Sequence, residues 1–271
     1  MFEVRGFLLT WHGFFTFVAV AVAVYLVARW ARREREPIPS EVIYSVAVWV
    51  IIGGIIGARL VHVIDRWDFY GQNLGQIFAI WSGGIAIYGA LLGGFAGGAL
   101  YATLRQQDVG VSVGRLADLA APAVVIAMFI GRFGDIINGE HIAKPTSMPW
   151  GFTYSHPLSP TNQVYGLRAT HPAVVYEMLW DLVVLGALFY LRNRLRPYGM
   201  TFVAFLAIYS VGRFFIQFLR EDKIWLAGLT EAHLIALIVL AVTVPLLAYK
   251  AQWLKAPAAV PVGKAKASSK S

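Results

Sequence analysis

The chain has 271 residues, 58% hydrophobic and only 14% charged, whereas a soluble domain carries about 25% charge. With a mean hydropathy of +0.62, this excludes an ordinary soluble protein, and the absence of cysteine excludes disulfides, thiolate metal sites and a cysteine nucleophile. The net charge of +8 would suggest nucleic acid in a soluble chain, but these charges lie between apolar runs, which points to membrane topology and not to a nucleic-acid partner.

Seven apolar runs reach or approach the about 20 residues that a spanning helix needs. They lie near 11–28, 42–63, 83–104, 116–131, 173–191, 198–217 and 231–249, the fourth being the shortest. None alternates in polarity as barrel strands do. The expectation is an all-α, polytopic membrane protein with seven transmembrane helices. One domain would cover 1–255, followed by a disordered basic tail over 256–271. The first run does not read as a cleaved signal peptide, because Arg29, Arg32, Arg33 and Arg35 follow it instead of preceding it. Keeping that cluster cytoplasmic puts the N-terminus outside and, with seven spans, the C-terminus in the cytoplasm. Segments then assigned inside carry 14 Lys and Arg, against 7 outside. The longest outer loop spans about 132–171. Its Pro, Ser, Thr, Asn and His content suits an irregular segment facing a substrate.

Gly53, Gly54 and Gly57 in the second run, and Gly83, Gly84, Gly89, Gly93, Gly94, Gly97 and Gly98 in the third, lie at spacings that let membrane helices pack closely. Trp67, Trp81 and Trp150 read as interface anchors. Arg59 and His62 are expected to snorkel to the headgroups. His12, beside Trp11, is either interfacial or catalytic.

The polar centre is Gly131-Arg-Phe-Gly-Asp-Ile-Ile-Asn-Gly-Glu140, at the end of the fourth run. Charged groups there are costly unless they face protein, water or a charged ligand. Its three glycines would let the backbone turn and approach a substrate, and the Arg132 guanidinium suits a phosphate. The competing reading is a helix end stabilised by its own arginine–carboxylate pair. A second polar set lies in the sixth run. Tyr209, Arg213 and Gln217 are spaced four apart and Arg220 follows three later, which puts them on one helix face. Arg213 sits well inside the run, while Arg220 is expected to reach interfacial water. Arg213 would bind a ligand or pair with a buried carboxylate such as Asp118 or Glu177. Both acids lie near helix starts, where the dipole also favours them. His171-Pro172 is expected to cap the fifth helix. The six histidines lack metalloprotease spacing, so no metal and no cofactor are expected.

The run Gly131-Arg-Phe-Gly-Asp-Ile-Ile-Asn-Gly-Glu-His-Ile-Ala-Lys-Pro-Thr146 resembles the signature of the prolipoprotein diacylglyceryl transferase family of the bacterial inner membrane. Trp81-Ser-Gly-Gly-Ile-Ala-Ile-Tyr-Gly89, Ala117-Asp118 with Ala121-Pro122, His171-Pro172 with Tyr176-Glu177, and Tyr209 with Gly212-Arg-Phe-Phe-Ile-Gln-Phe-Leu-Arg-Glu-Asp222 also look like the family. The resemblance implies roles for Arg132, Asn138, Glu140, Tyr209 and Arg213. The two arginines would bind the phosphate of phosphatidylglycerol, with Asn138 and Asp135 in the same subsite. It implies phosphatidylglycerol, preprolipoprotein signal peptides with a lipobox cysteine, and membrane lipids as partners. The active site would face outward, and a thioether would form with release of glycerol phosphate, without ATP or metal. Five positions depart from the family pattern. Tyr88 stands where many members have a histidine proposed as catalytic, and His12 where a tyrosine is usual. Asp135 replaces an asparagine, Ala143 a glycine and Gln217 a glutamate. Neutral tyrosine, titrating near pH ~10, is a poor base. Glu140, His12 or the phosphate itself is left to take the thiol proton, and Tyr88 and His12 stay among the candidate catalytic residues. The alternative function is a transporter or flippase of an anionic lipid, although no internal repeat supports it.

Overall fold

The computed structural model describes residues 2–4, 7–9, 11–79, 84, 86–105 and 110–254, without the side chains of 2–9, 87 and 88. Trp81, Gly83, the Tyr88 side chain and the tail 256–271 therefore lie outside the described structure. The helices are α1 (Trp11–Ala31), α2 (Ser40–Asp65), the single turn α3 (Trp67–Tyr70), α4 (Ile87–Leu104), α5 (Val113–Asn138), α6 (Pro160–Tyr165), α7 (Ala173–Leu191), α8 (Met200–Gln217) and α9 (Glu231–Lys250). Three short antiparallel pairs, Phe2–Val4 with Phe7–Leu9, Leu195–Arg196 with Gln252–Trp253 and Ile224–Leu226 with Leu229–Thr230, lie outside the long helices. Among the described residues six helices, α1, α2, α5, α7, α8 and α9, are long and apolar enough to cross a membrane. α4 is apolar but shorter over its described side chains, Gly89–Leu104. Large apolar side chains such as Phe17, Leu92 and Phe215 point outward. Lipid can solvate such a surface and water cannot, so the chain is a multi-pass helical membrane protein.

α2 and α4 pack backbone to backbone. A Cβ added at Gly53 would strike the carbonyl oxygen of Gly93, one at Gly57 that of Gly89, and one at Gly97 that of Trp49. The glycine stripe is thus a packing seam, as its spacing indicates. At one end of the bundle, Ala28, Ala31, Ile38, Ile43, Ala102 and Leu116 join α1, α2, α4 and α5. At the same end Asp118 accepts hydrogen bonds from the backbone N–H groups of Gly199 (2.7 Å) and Phe202 (2.9 Å). It caps the start of α8 and is not the partner of Arg213. Between α5, α7 and α8, Ala121, Val125, Val184, Leu188 and Phe205 form a buried core.

Two features differ from the sequence reading. First, the fourth span does not stop near 131, because α5 runs to Asn138. Its last two turns carry charged groups that find protein partners, so the helix continues where hydropathy falls. Second, Arg59 does not snorkel. It is 6% exposed, and its guanidinium donates to the carbonyls of Gln76 (2.5 Å), Ile77 (2.8 Å), Ala79 (3.2 Å) and Gly84 (2.8 Å). It ties the segment before α4 to α2 and also lies over the Tyr70 ring. The long loop after α5 is largely irregular, as its composition indicates, and is tied down by isolated bridges. It bridges Ala143 to Arg220, Pro145 to Thr170 and Phe152 to Thr170.

Candidate functional site

The site forms where the C-terminal end of α5, the first turns of α7 and the C-terminal end of α8 meet. α5 ends at Gly139, whose left-handed backbone (φ 65°) stops the helix, and the N–H of Glu140 bonds back to the Asp135 carbonyl at 3.2 Å. Thr161 clamps this turn from α6, its hydroxyl donating to the Gly139 carbonyl at 2.8 Å. His141 follows with a second left-handed conformation (φ 63°), uncommon for a residue with a Cβ. That conformation is fixed by the ring's contacts with Arg220 and Asp135.

The centre of the cluster is Glu177, 3% exposed, one turn into α7. Arg132 Nη1 lies 2.6 Å from its Oε2. Arg213 Nη1 bonds its Oε1, and Arg220 Nη1 is 3.5 Å from the same oxygen. Three guanidinium groups from α5, α8 and the turn after α8 therefore converge on one carboxylate. The sequence reading weighed Glu177 as a partner for Arg213 alone, and the structure gives it all three arginines. Arg220 is buried instead of interfacial. Its Nε bonds Asp222 at 3.0 Å and its Nη2 bonds His141 Nδ1 at 2.8 Å. Gln217 donates to Asp222 at 2.6 Å. Burial opposes charge on Asp222, but the Gln217 amide and the Arg220 charge outweigh it and hold the carboxyl below its ordinary value. Tyr209, one turn before Arg213, packs on the α5–α7–α8 core within electrostatic reach of Arg132, Glu177 and Arg213.

Asp135 sits beside this cluster, 4% exposed. Its Oδ2 accepts from Arg132 (3.3 Å) and lies 3.2 Å from His141 Nε2, and its Oδ1 lies 2.9 Å from His12 Nδ1. Asn138 donates to Glu140 Oε1 at 2.8 Å, and Glu140 Oε2 lies 3.7 Å from His12 Nδ1. His12, Asp135 and Glu140 bring one ligand atom each within 4.8 Å of one another, a set that could hold a metal ion. The Arg132 cation at 3.3 Å and the hydrogen bonds already on both Asp135 oxygens favour a hydrogen-bonded network there instead. A cleft beside Glu140 and His141 is lined also by Tyr154, Thr161 and His171. Burial, with the nearby Asp135 charge, pushes the Tyr154 phenol up, so it stays a neutral hydroxyl.

The structure thus brings together His12, Arg132, Asp135, Asn138, Glu140, Tyr209 and Arg213. Tyr88 belongs to the first turn of α4, but its side chain is outside the described residues. Sequence reasoning did not single out His141, Asp222 or Asp181. His141 stands inside the quoted signature, so the signal was present. Asp181 lies one turn beyond Glu177 on α7, 1% exposed, with no hydrogen-bond partner for either oxygen.

The chain is thus a multi-pass membrane protein with three arginines converging on one buried carboxylate at one end of its bundle. The family model for prolipoprotein diacylglyceryl transferase matches residues 1–249. Proteins named phosphatidylglycerol–prolipoprotein diacylglyceryl transferase are similar along nearly their whole length. That of Acaryochloris marina is 35% identical, covering 88% of this chain and 85% of the relative. Those of Thermosynechococcus vestitus and Gloeobacter violaceus are 34% and 36% identical, covering 87% of this chain in each case and 87% and 86% of the relatives. The chain belongs to the prolipoprotein diacylglyceryl transferase family and is a transferase.

Proposed function

We propose that this protein transfers the diacylglyceryl group of phosphatidylglycerol to the lipobox cysteine of preprolipoproteins at the outer face of the bacterial inner membrane. The observation that carries the reading is the single carboxylate, Glu177, surrounded by Arg132, Arg213 and Arg220. A carboxylate held by three guanidinium groups occupies a place suited to a phosphodiester, and Arg presents paired donors to either anion. The lipid phosphate would contact Arg132 and Arg213, with its acyl chains in the bilayer between helices. Tyr209 and Asn138 would orient it.

The cysteine sulfur attacks the glyceryl carbon that bears the phosphate, forming the thioether. The C–O bond breaks and glycerol phosphate leaves, its growing charge met by the arginines. The charge asymmetry supports an outward-facing site. Arg29, Arg115, Arg192 and Arg196 lie at the other end of the bundle, where Arg115 pairs with Glu36 and Arg192 with Glu34. With α4 as a seventh span, the N-terminus is outside and the C-terminus cytoplasmic.

The test is purified protein in detergent with phosphatidylglycerol and a lipobox peptide. The expected result is a peptide mass gain of one diacylglyceryl group, absent when the cysteine is serine and lost in Arg132→Ala. A folded protein that binds the lipid without modifying the peptide would overturn the reading in favour of lipid transport. A fully active Arg132→Ala would overturn the phosphate clamp.

A further inference from the structure

The reaction needs an acceptor for the thiol proton, and the cluster offers three groups: Glu140, His141 and His12. Their hydrogen bonds separate them. Arg220 has only donors, so the contact of its Nη2 with His141 Nδ1 at 2.8 Å uses the lone pair of that nitrogen. The opposite nitrogen, Nε2, then carries the proton and donates it to Asp135 at 3.2 Å. Neutral His141 has both ring nitrogens committed. Glu140 already accepts from Asn138.

His12 is placed differently. Its Nδ1 faces Asp135 Oδ1 at 2.9 Å. Ionised Asp135 only accepts, so Nδ1 carries the hydrogen and Nε2 keeps its lone pair. The side chain is 51% exposed, and among the described residues only its Nδ1 has a hydrogen-bond contact. The charged groups around the ring are Asp135, Glu140 and Arg132. Two carboxylates against one guanidinium leave net negative charge to hold the imidazolium that forms in the reaction. The fold builds the contact deliberately. A Cβ at Gly134 would come 2.8 Å from His12 Cα, so the start of α1 reaches Asp135 only because the preceding residue on α5 is glycine.

We propose that His12, oriented by Asp135, is the general base of this enzyme, an assignment that rests on the transferase reading above. The cysteine S–H proton passes to His12 Nε2 as the sulfur attacks the glyceryl carbon. The C–S bond forms, and the C–O bond breaks with its electron pair going to the phosphate oxygen. The imidazolium then gives its proton to the departing glycerol phosphate or to water. Asp135 acts as a positioning residue, fixing the tautomer.

The experiment compares wild type, His12→Gln and Arg132→Ala on two lipobox peptides, one with cysteine and one with selenocysteine, which is already ionised at neutral pH. With cysteine at pH 7, His12→Gln is expected to lose about 100-fold or more in kcat, and to recover as pH approaches the thiol pKa near ~8.5. With selenocysteine it regains most of the wild-type rate, while Arg132→Ala stays inactive on both peptides. Equal losses of His12→Gln on both peptides, or an unchanged rate on cysteine, overturn the base assignment and leave the transferase reading standing. A wild-type protein that modifies neither peptide overturns that reading and the base with it.

Discussion

Glu177→Gln is the substitution that most directly probes the arginine cluster. It removes one negative charge and keeps the size of the side chain. Arg132 keeps Asp135 at 3.3 Å and Arg220 keeps Asp222 at 3.0 Å, so most of the loss falls on Arg213, whose recorded ion pair is with Glu177. Breaking a buried pair from one side costs about 3–5 kcal/mol, chiefly because the remaining charge is left uncompensated. With two of three arginines still paired, the lower end applies, about 3 kcal/mol. For a chain of this size that lowers the melting temperature by roughly 6–12 °C. If Glu177 stands where the lipid phosphate binds, an anion should restore what the substitution removed. Glycerol phosphate at about a hundred times its Kd adds about 2.7 kcal/mol to any state that binds it. Freed from competition with the carboxylate, the variant should bind it more tightly than wild type. Thermal denaturation in detergent, with and without glycerol phosphate, measures both effects. A variant that melts with wild type, or whose ligand-induced shift is smaller than that of wild type, refutes the view of Glu177 as a stand-in for phosphate.

Gly57→Ala puts a methyl group against the Gly89 carbonyl, whereas Gly75→Ala meets nothing within 4 Å. The first should lose about 1–3 kcal/mol by overpacking and the second almost nothing, read as detergent melting temperatures. Arg59→Ala removes the donor that ties Gln76, Ile77, Ala79 and Gly84 to α2. Limited proteolysis should then cut within 76–84 faster than in wild type, and unchanged cleavage would show that the tie is dispensable. Asp222 titrates below its ordinary value in the fold. Its contribution to stability is therefore complete above the unfolded pKa near ~3.9 and is lost as pH falls through the lower, folded value. Wild type should lose stability on acidification below about pH 4 more steeply than Asp222→Asn, and parallel curves for the two proteins would remove Asp222 from the cause.

How far the sequence could be read depended on whether a residue's partner was near or distant in the chain. α7 and α9 were legible because apolar character alone defines them, and helix spacing put Tyr209, Arg213 and Gln217 on one face. The close seam of α2 and α4 followed from glycine spacing. The end of α5 was not legible, because hydropathy counts Arg132 and Asp135 as if solvated. In the fold their partners are Glu177, His12 and His141, none of which hydropathy can supply. Arg59 was misjudged for the same reason, since its partners are backbone carbonyls of a loop and leave no compositional trace. Glu177 and Asp118 could not be ranked as partners of Arg213. Both sit near helix starts in sequence, and only the packing sends one to cap α8 and the other into the arginine cluster. His141 lay inside the quoted signature, but its partners, Arg220 and Asp135, come together only in the fold.

Asp135 joins the two halves of the proposed chemistry. One oxygen faces Arg132 and His141 on the phosphate side, and the other faces His12 on the thiol side. Arg132 and Asp135 are three residues apart on one helix face, so α5 sets the spacing between a clamp arginine and the residue that positions the proposed proton acceptor. A thioether forms only if sulfur, carbon and leaving oxygen align at nearly fixed separations, and effective molarity falls steeply when they do not. The bridged loop after α5 and the close approach at Gly134 then have one effect in common. Each holds a group from a distant part of the chain, Arg220 through Ala143 and His12 through α1, against the same turn of α5. On that argument α5 is the frame of the site, and the other helices bring to it the charges that it cannot carry alone in a membrane.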